Sequence, residues 1–141
     1  MSDNAIVLAT VDTALSADAG TMICSIENNG DRAQQAKIFN ALNEPDYRIA
    51  DFINKEITVK DVLIEIRDIL NEETGEIARV PRVVLISPDG TSYQATSVGI
   101  FNSVKNAFHA FGVAPWDPAL TFEIKQKPVK NGSMLTAVVR G

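Results

Sequence analysis

Apolar and polar residues alternate over several stretches of this chain, and within residues 55–139 the alternation gives way to a helical period once. Met22, Ile23, Cys24 and Ile26 make Thr21–Glu27 strand-like, and Asn28-Asn29-Gly30-Asp31 supplies turn residues. Asp31 can cap a helix with a partial apolar stripe of Ala36, Phe39, Ala41 and Leu42, which Pro45 ends. A short connector, Tyr47–Ile53, leads to Lys55. Beyond it Ile57 and Val59 share one face, whereas Val62, Ile64 and Ile66 share a face out of step with them. A phase slip at Lys60-Asp61 reconciles the two, and a β-bulge there would bend and twist the strand. Leu63, Ile66, Arg67 and Leu70 also permit a helix, but the density of β-branched residues favours a strand.

Asn71–Glu76 reads as a polar hairpin tip, followed by a strand over Arg79–Ser87. Its unbroken run Val83-Val84-Leu85-Ile86 implies burial on both faces. Pro88-Asp89-Gly90 turns the chain into a short third strand, Thr91–Thr96. The period then changes: Ile100, Phe101, Val104, Phe108 and Phe111 recur at helical spacing, with Ser97 to cap the start and Gly112 the end. After a connector with two prolines around Trp116-Asp117, Leu120, Phe122 and Ile124 alternate in a strand to about Lys127. Asn131-Gly132 signals a hairpin, and Met134–Val139 is the last strand.

The order over residues 55–139 is therefore β-β-β-α-β-β. It is the order of an OB-fold barrel, whose open face and loops commonly hold oligonucleotides. The expectation is a mainly β domain with α+β elements: an OB-like five-stranded β-barrel with a helix between strands 3 and 4 and an N-terminal strand-helix extension. One domain spans residues 21–141, and residues 1–20 form a weakly ordered acidic arm. A chain of 141 residues buries about two-thirds of its unfolded surface, so its core needs no staples.

Charge refines the picture. Asp3, Asp12, Asp18, Glu27 and Asp31 face no Lys or Arg in the first 31 residues and account for the whole net charge of −5. The last strands are locally basic, with Lys125, Lys127, Lys130 and Arg140 against Glu123. Binding follows the field at a groove rather than the total, although lysines also guard edge strands against aggregation. The single cysteine, Cys24, forms no internal disulfide and reads as a buried inert thiol in a reducing compartment. No apolar run reaches membrane-spanning length, and Met1-Ser2-Asp3-Asn4 lacks the positive start of a secretory signal. The cytoplasm is the expected location, with no membrane partner.

No catalytic constellation emerges. The one histidine, His109, falls on the polar face of the long helix, with no nucleophile and acid set beside it in sequence. One Cys and one His make no zinc site, the acids around Glu72, Glu73 and Glu76 lack calcium-loop spacing, and no phosphate-cradling glycine motif occurs. No cofactor is expected.

What remains is a binding surface. Attachment to single strands regardless of sequence needs cations along the phosphates and exposed rings for the bases. Lys125, Lys127 and Lys130 lie near the last hairpin, and Lys60, Arg67, Arg79 and Arg82 lie on the first two strands. Tyr93 on the third strand is the best stacking candidate. Tyr47 and Trp116 sit in connectors and can either stack on bases or cap the barrel. The acidic tip at Asn71–Glu76 should repel phosphate and point away from the bound strand.

The segments Lys37–Asn43, Asp51–Ile57, Glu73-Thr74-Gly75-Glu76, Pro81–Ile86 with Asp89-Gly90, and Tyr93–Ser103 span about residues 34–139. Together they resemble the single-stranded-DNA-binding proteins of small bacterial viruses. The resemblance implies a replication accessory that coats exposed single strands without sequence preference, with replication proteins as further partners. No site residue is transferred from the family. Many bacterial counterparts end in an acidic tail, whereas this chain ends Val138-Val139-Arg140-Gly141. The extension's Ile23, Ile26, Phe39 and Leu42 could pack on the barrel or in a homodimer. The rival readings are a protein-interaction or virion-assembly module on the same barrel, and a small enzyme without a sequence signature.

Overall fold

The computed structural model describes residues 22–26, 30–130 and 132–140. The acidic arm expected over residues 1–20 lies outside the described residues, as do Asn28, Asn29 and Asn131 of the expected turns.

The phase slip organises the architecture. Ile57 and Val59 stand on β3 (Glu56–Val59), and Val62, Ile64 and Ile66 stand on β4 (Asp61–Leu70). All five are buried in the same core. Lys60 between them breaks the strand instead of bulging it, which corrects the expectation of one long bent strand. Its amide donates to the Ile86 carbonyl at 2.8 Å, and its carbonyl accepts from the Trp116 amide at 2.9 Å. The break hands the chain from one sheet to another, so both phases face inward.

Before it come β1 (Met22–Cys24), α1 (Arg32–Asn43), β2 (Tyr47–Arg48) and one turn of 3-10 helix, Ile49–Phe52. After it come β5 (Ile77–Ile86), β6 (Ser92–Thr96), α2 (Val98–Phe111), β7 (Leu120–Val129) and β8 (Gly132–Val139). One sheet has the order β1-β4-β5-β6-β2, and the other has the order β3-β7-β8. The expected caps form: Asp31 Oδ1 accepts from the Ala33 amide, and Ser97 Oγ from the Ile100 amide, both at 3.1 Å.

The sheets do not close into a barrel, contrary to the sequence expectation. Closure would require β6 to meet β8, and both edges are occupied. Short β2 pairs in parallel with β6, opposing Tyr47 to Tyr93. Along β8, the Ala137 amide donates to Ser103 Oγ of α2 at 3.1 Å, and the Ser103 and Thr136 hydroxyls bond at 3.1 Å. A helix hydroxyl thus satisfies an edge donor that a closing ladder would otherwise use. The fold is mixed α+β, rich in strands, with two α-helices among the described residues.

The apolar run of β5 is buried on both faces, as its sequence requires. Val83 and Leu85 join Val62, Ile64, Ile100, Phe108 and Phe122 in the main core. Val84 and Ile86 join Leu63, Ile26 and Ala41 in a second core, against which Ile38 and Leu42 of α1 pack. Phe111, expected on the apolar face of the long helix, is exposed in the last turn of α2, and Phe39 of the extension is 62% exposed on α1. Cys24 is also exposed, on the edge strand β1, rather than buried. Partial burial of its sulfur still raises its pKa, although its 3.4 Å bond to the Ile26 carbonyl lowers it, and the carboxylate of Asp61 adds to the rise. The β4–β5 and β7–β8 hairpins both run past the core as arms, where Arg67–Leu70, Ile77–Arg79 and Gln126–Lys130 are exposed. Among the described residues no helix is long and apolar enough to cross a membrane.

Candidate nucleic-acid interface

Three rings meet where β2 pairs with β6. The parallel register of β2 and β6 brings Tyr47 and Tyr93 together, with ring centroids 5.6 Å apart and planes 24° from parallel. The 3-10 turn then folds Phe52 against both, edge to face, at 5.5 Å from Tyr47 and 5.0 Å from Tyr93. Such offset and edge-on geometries are those favoured by the quadrupoles of aromatic rings. Ile49, fully buried, anchors the turn, and Arg48 closes it with bonds of 3.3 and 3.0 Å to the Asp51 carboxylate. Tyr47 is 51% exposed, so one ring of the cluster is open to solvent while the other two are half-buried.

A cation stands beside these rings. Lys55 Nζ lies 5.8 Å from the centre of the Phe52 ring, within cation–π range. Asn54 takes a left-handed conformation, φ 66°, which asparagine tolerates better than most residues. That turn lets the Asn54 amide donate to the Ile124 carbonyl at 2.7 Å and the Ile124 amide donate to the Lys55 carbonyl at 3.0 Å. The ring cluster is thereby fastened to β7 where the basic arm begins. Ile124 points into the core, so Lys125 and Lys127 project from the opposite face of β7. Lys130 follows in the turn; β7 itself continues to Val129, beyond the expected end near Lys127.

Not all of this basic charge is available. Glu123 accepts from Lys125 Nζ at 2.8 Å and from Arg140 Nε and Nη2 at 2.6 Å. The bond from Lys125, and then that from Arg140, holds the Glu123 carboxyl below the ordinary glutamate range. Lys127 and Lys130 have no ion-pair partner among the described residues. They are the arm's uncommitted cations.

The other sequence candidates are dispersed. Lys60 is exposed at the far end of β3 from Lys55, in a groove with Lys37 and Asp61. Arg67 is exposed on the β4–β5 arm, 4.0 Å from Glu65. Arg79 bonds Asp68 across the same hairpin at 3.1 Å. Arg82 is buried: Nη2 donates to the Leu42 carbonyl at the end of α1 at 2.7 Å, and Nη1 lies 3.7 Å from Glu65. Its charge serves the packing of α1, which removes it from the set open to phosphate. Trp116 is removed as a stacking ring for the same reason. It is 5% exposed, donates from Nε1 to the Gly112 carbonyl at 2.9 Å, and meets Phe108 and Phe122 edge-on.

Tyr47 and Tyr93 meet in one cluster that Phe52 and Lys55 join unforeseen, while Lys125, Lys127 and Lys130 follow along β7 and the turn after it. The available signal was the spacing of Tyr47, Phe52 and Lys55 within one short connector. Nothing in that spacing reveals that β2 pairs with β6. No group of three or more His, Cys, Asp or Glu is arranged to hold a metal among the described residues.

No curated protein and no solved structure matches the chain. Residues 16–138 match the family described as phage single-stranded DNA-binding protein, of the phi29 type. With nearly the whole sequence matched, the chain belongs to the phi29 phage single-stranded DNA-binding protein family.

Proposed function

We propose that this protein coats single-stranded DNA without sequence preference during phage DNA replication in the host cytoplasm. The observation that carries the reading is the junction at Ile124, where the Tyr47–Tyr93–Phe52 cluster adjoins a strand bearing Lys125 and Lys127. A base stacks on the open face of Tyr47, and the phosphates on either side follow Lys55, Lys127 and Lys130. Every base has a face to offer a ring, so recognition of this kind is tolerant of sequence. The protein acts by binding rather than by catalysis.

A titration with labelled oligo-dT at two salt concentrations tests this reading. Affinity should fall steeply as salt rises, because each neutralised phosphate releases condensed counterions. Absence of binding at low salt would overturn it. The protein-interaction alternative would then gain, since Ile69, Leu70 and Ile77 are exposed together near the end of the β4–β5 arm. A second copy or a replication protein would dock there.

A further inference from the structure

Phe39 is an exposed ring that the function above leaves unused. Its neighbours Ile38 and Leu42 pack on the second core, yet Phe39 itself is 62% exposed. It lies beside the face of the β4–β5 arm that carries Glu65, Arg67 and Arg82. Together with Leu42 and Asn43 these residues line an open groove of about 480 Å³, within the size range of small-ligand sites.

The polar groups of this groove have distinct commitments. Arg82 is held by the Leu42 carbonyl at 2.7 Å and faces Glu65 at 3.7 Å, so it forms a fixed wall. Arg67 approaches Glu65 only at 4.0 Å and remains exposed, leaving guanidinium donors for a phosphate. Two arginines and one glutamate leave the groove one positive charge. An exposed ring beside an exposed cation is the pairing that single-strand attachment uses.

Resting on the single-strand reading above, we infer that this groove is a second contact for the same DNA strand. A base stacks on Phe39, an adjoining phosphate engages Arg67, and Arg82 with Glu65 holds the wall in place. The groove is on the opposite face of the five-stranded sheet from Tyr93. Tyr93 pairs with Leu85 of the main core, whereas Arg82 shares its side of β5 with Val84 of the second core. One strand therefore reaches both contacts only by passing round the sheet. A short oligonucleotide fills the tyrosine cluster alone, and a long one fills both.

The test titrates the full chain and its Phe39→Ala, Arg67→Gln and Tyr93→Ala variants with short and long oligo-dT. Photo-crosslinking from a long oligonucleotide carrying iodouracil locates the contacts. Phe39 and Arg67 are exposed, so these variants should keep the wild-type circular dichroism and melting temperature. Phe39→Ala and Arg67→Gln should each weaken the long oligonucleotide by roughly tenfold while leaving the short one unchanged. A crosslink should map to Phe39. If Tyr93→Ala weakens both lengths but Phe39→Ala weakens neither and no crosslink forms there, the second contact is wrong and the single-strand reading survives. If the wild-type chain binds neither length, both fall. If Phe39→Ala alters only the sedimentation of the free protein, the groove is a face for another copy and the inference is overturned.

Discussion

Tyr47 and Tyr93 stack at 5.6 Å because a two-residue strand pairs in parallel beside β6, and it is the more exposed ring, Tyr47, that offers a free face. The packed partner fixes the orientation of the open ring before any ligand arrives. Pre-ordering of this kind reduces the entropy that binding must overcome. Tyr47→Ala should therefore weaken oligo-dT binding by about 1–3 kcal/mol, the range for loss of one base–ring stack. Tyr47→Phe should retain most of the affinity, since stacking uses the ring and not the hydroxyl. Trp116, packed between Phe108 and Phe122, should keep its emission on DNA binding while tyrosine emission is quenched. Strong quenching under tryptophan-selective excitation would instead show that the core opens.

Lys127 and Lys130 should carry more of the salt dependence than Lys125, because Lys125 is already engaged by Glu123 at 2.8 Å. Removing one phosphate contact on a single strand lowers the slope of log affinity against log salt by about 0.7. Lys127→Ala and Lys130→Ala should each show that reduction, and Lys125→Ala less. All three are surface substitutions, so stability should stay within about 0.5 kcal/mol of wild type. Equal effects at the three positions would mean that the Glu123 pairing does not persist in solution.

How much of this was legible in the sequence depends on the range of the interactions involved. The strand segments on either side of the helix follow from local periodicity, although the expected first strand proves to be two, and α2 with its Ser97 cap and the doubly buried run of β5 follow from it too. The phase slip at Lys60 was visible as a discontinuity between Val59 and Val62. That it is a hand-over between sheets was not, because the partners Ile86 and Trp116 are distant in sequence. The failure of barrel closure is equally non-local. It depends on Tyr47 reaching Tyr93 and Ser103 reaching Ala137, across 46 and 34 residues. Arg82 and Trp116 illustrate a different limit. Composition marks them as a cation and a ring, and only tertiary packing shows that one caps α1 and the other fills the core.

Glu123 restrains the basic arm, and its pKa makes that restraint dependent on pH. The carboxyl is held below the ordinary range by Lys125 and Arg140, so the pairing is complete near neutrality. A depressed folded-state pKa gives stability that is present above the unfolded value and lost as pH falls through the folded one. The same protonation releases Lys125 and Arg140 toward phosphate. Glu123→Gln should accordingly raise affinity for oligo-dT at neutral pH and steepen the salt slope by about 0.7 for each cation that gains a phosphate. In acid, wild-type affinity should climb toward that of the variant, and the gap between them should narrow. A gap that stays constant from neutral pH down through the carboxylate range would exclude Glu123 as the titrating restraint.

Gly99 tests the contact that stands in place of barrel closure. It lies in the first turn of α2 against β8, where an added Cβ would collide with the Leu135 carbonyl oxygen and approach Met134 Cγ to 2.7 Å. The Met134 side chain can move aside, but the Leu135 backbone is held in the β7–β8 ladder opposite Gln126. Helix propensity alone would make Gly99→Ala stabilising by up to about 1 kcal/mol. Overpacking opposes it at about 1–3 kcal/mol, and with a rigid backbone as the obstacle the upper part of that range applies. Gly99→Ala should therefore lower the urea midpoint, and it should also expose the Ala137 amide to faster hydrogen exchange as Ser103 is displaced. A raised midpoint with unchanged exchange at Ala137 would show that α2 and β8 are more loosely apposed than this packing requires, and that something other than the helix keeps the two sheets apart.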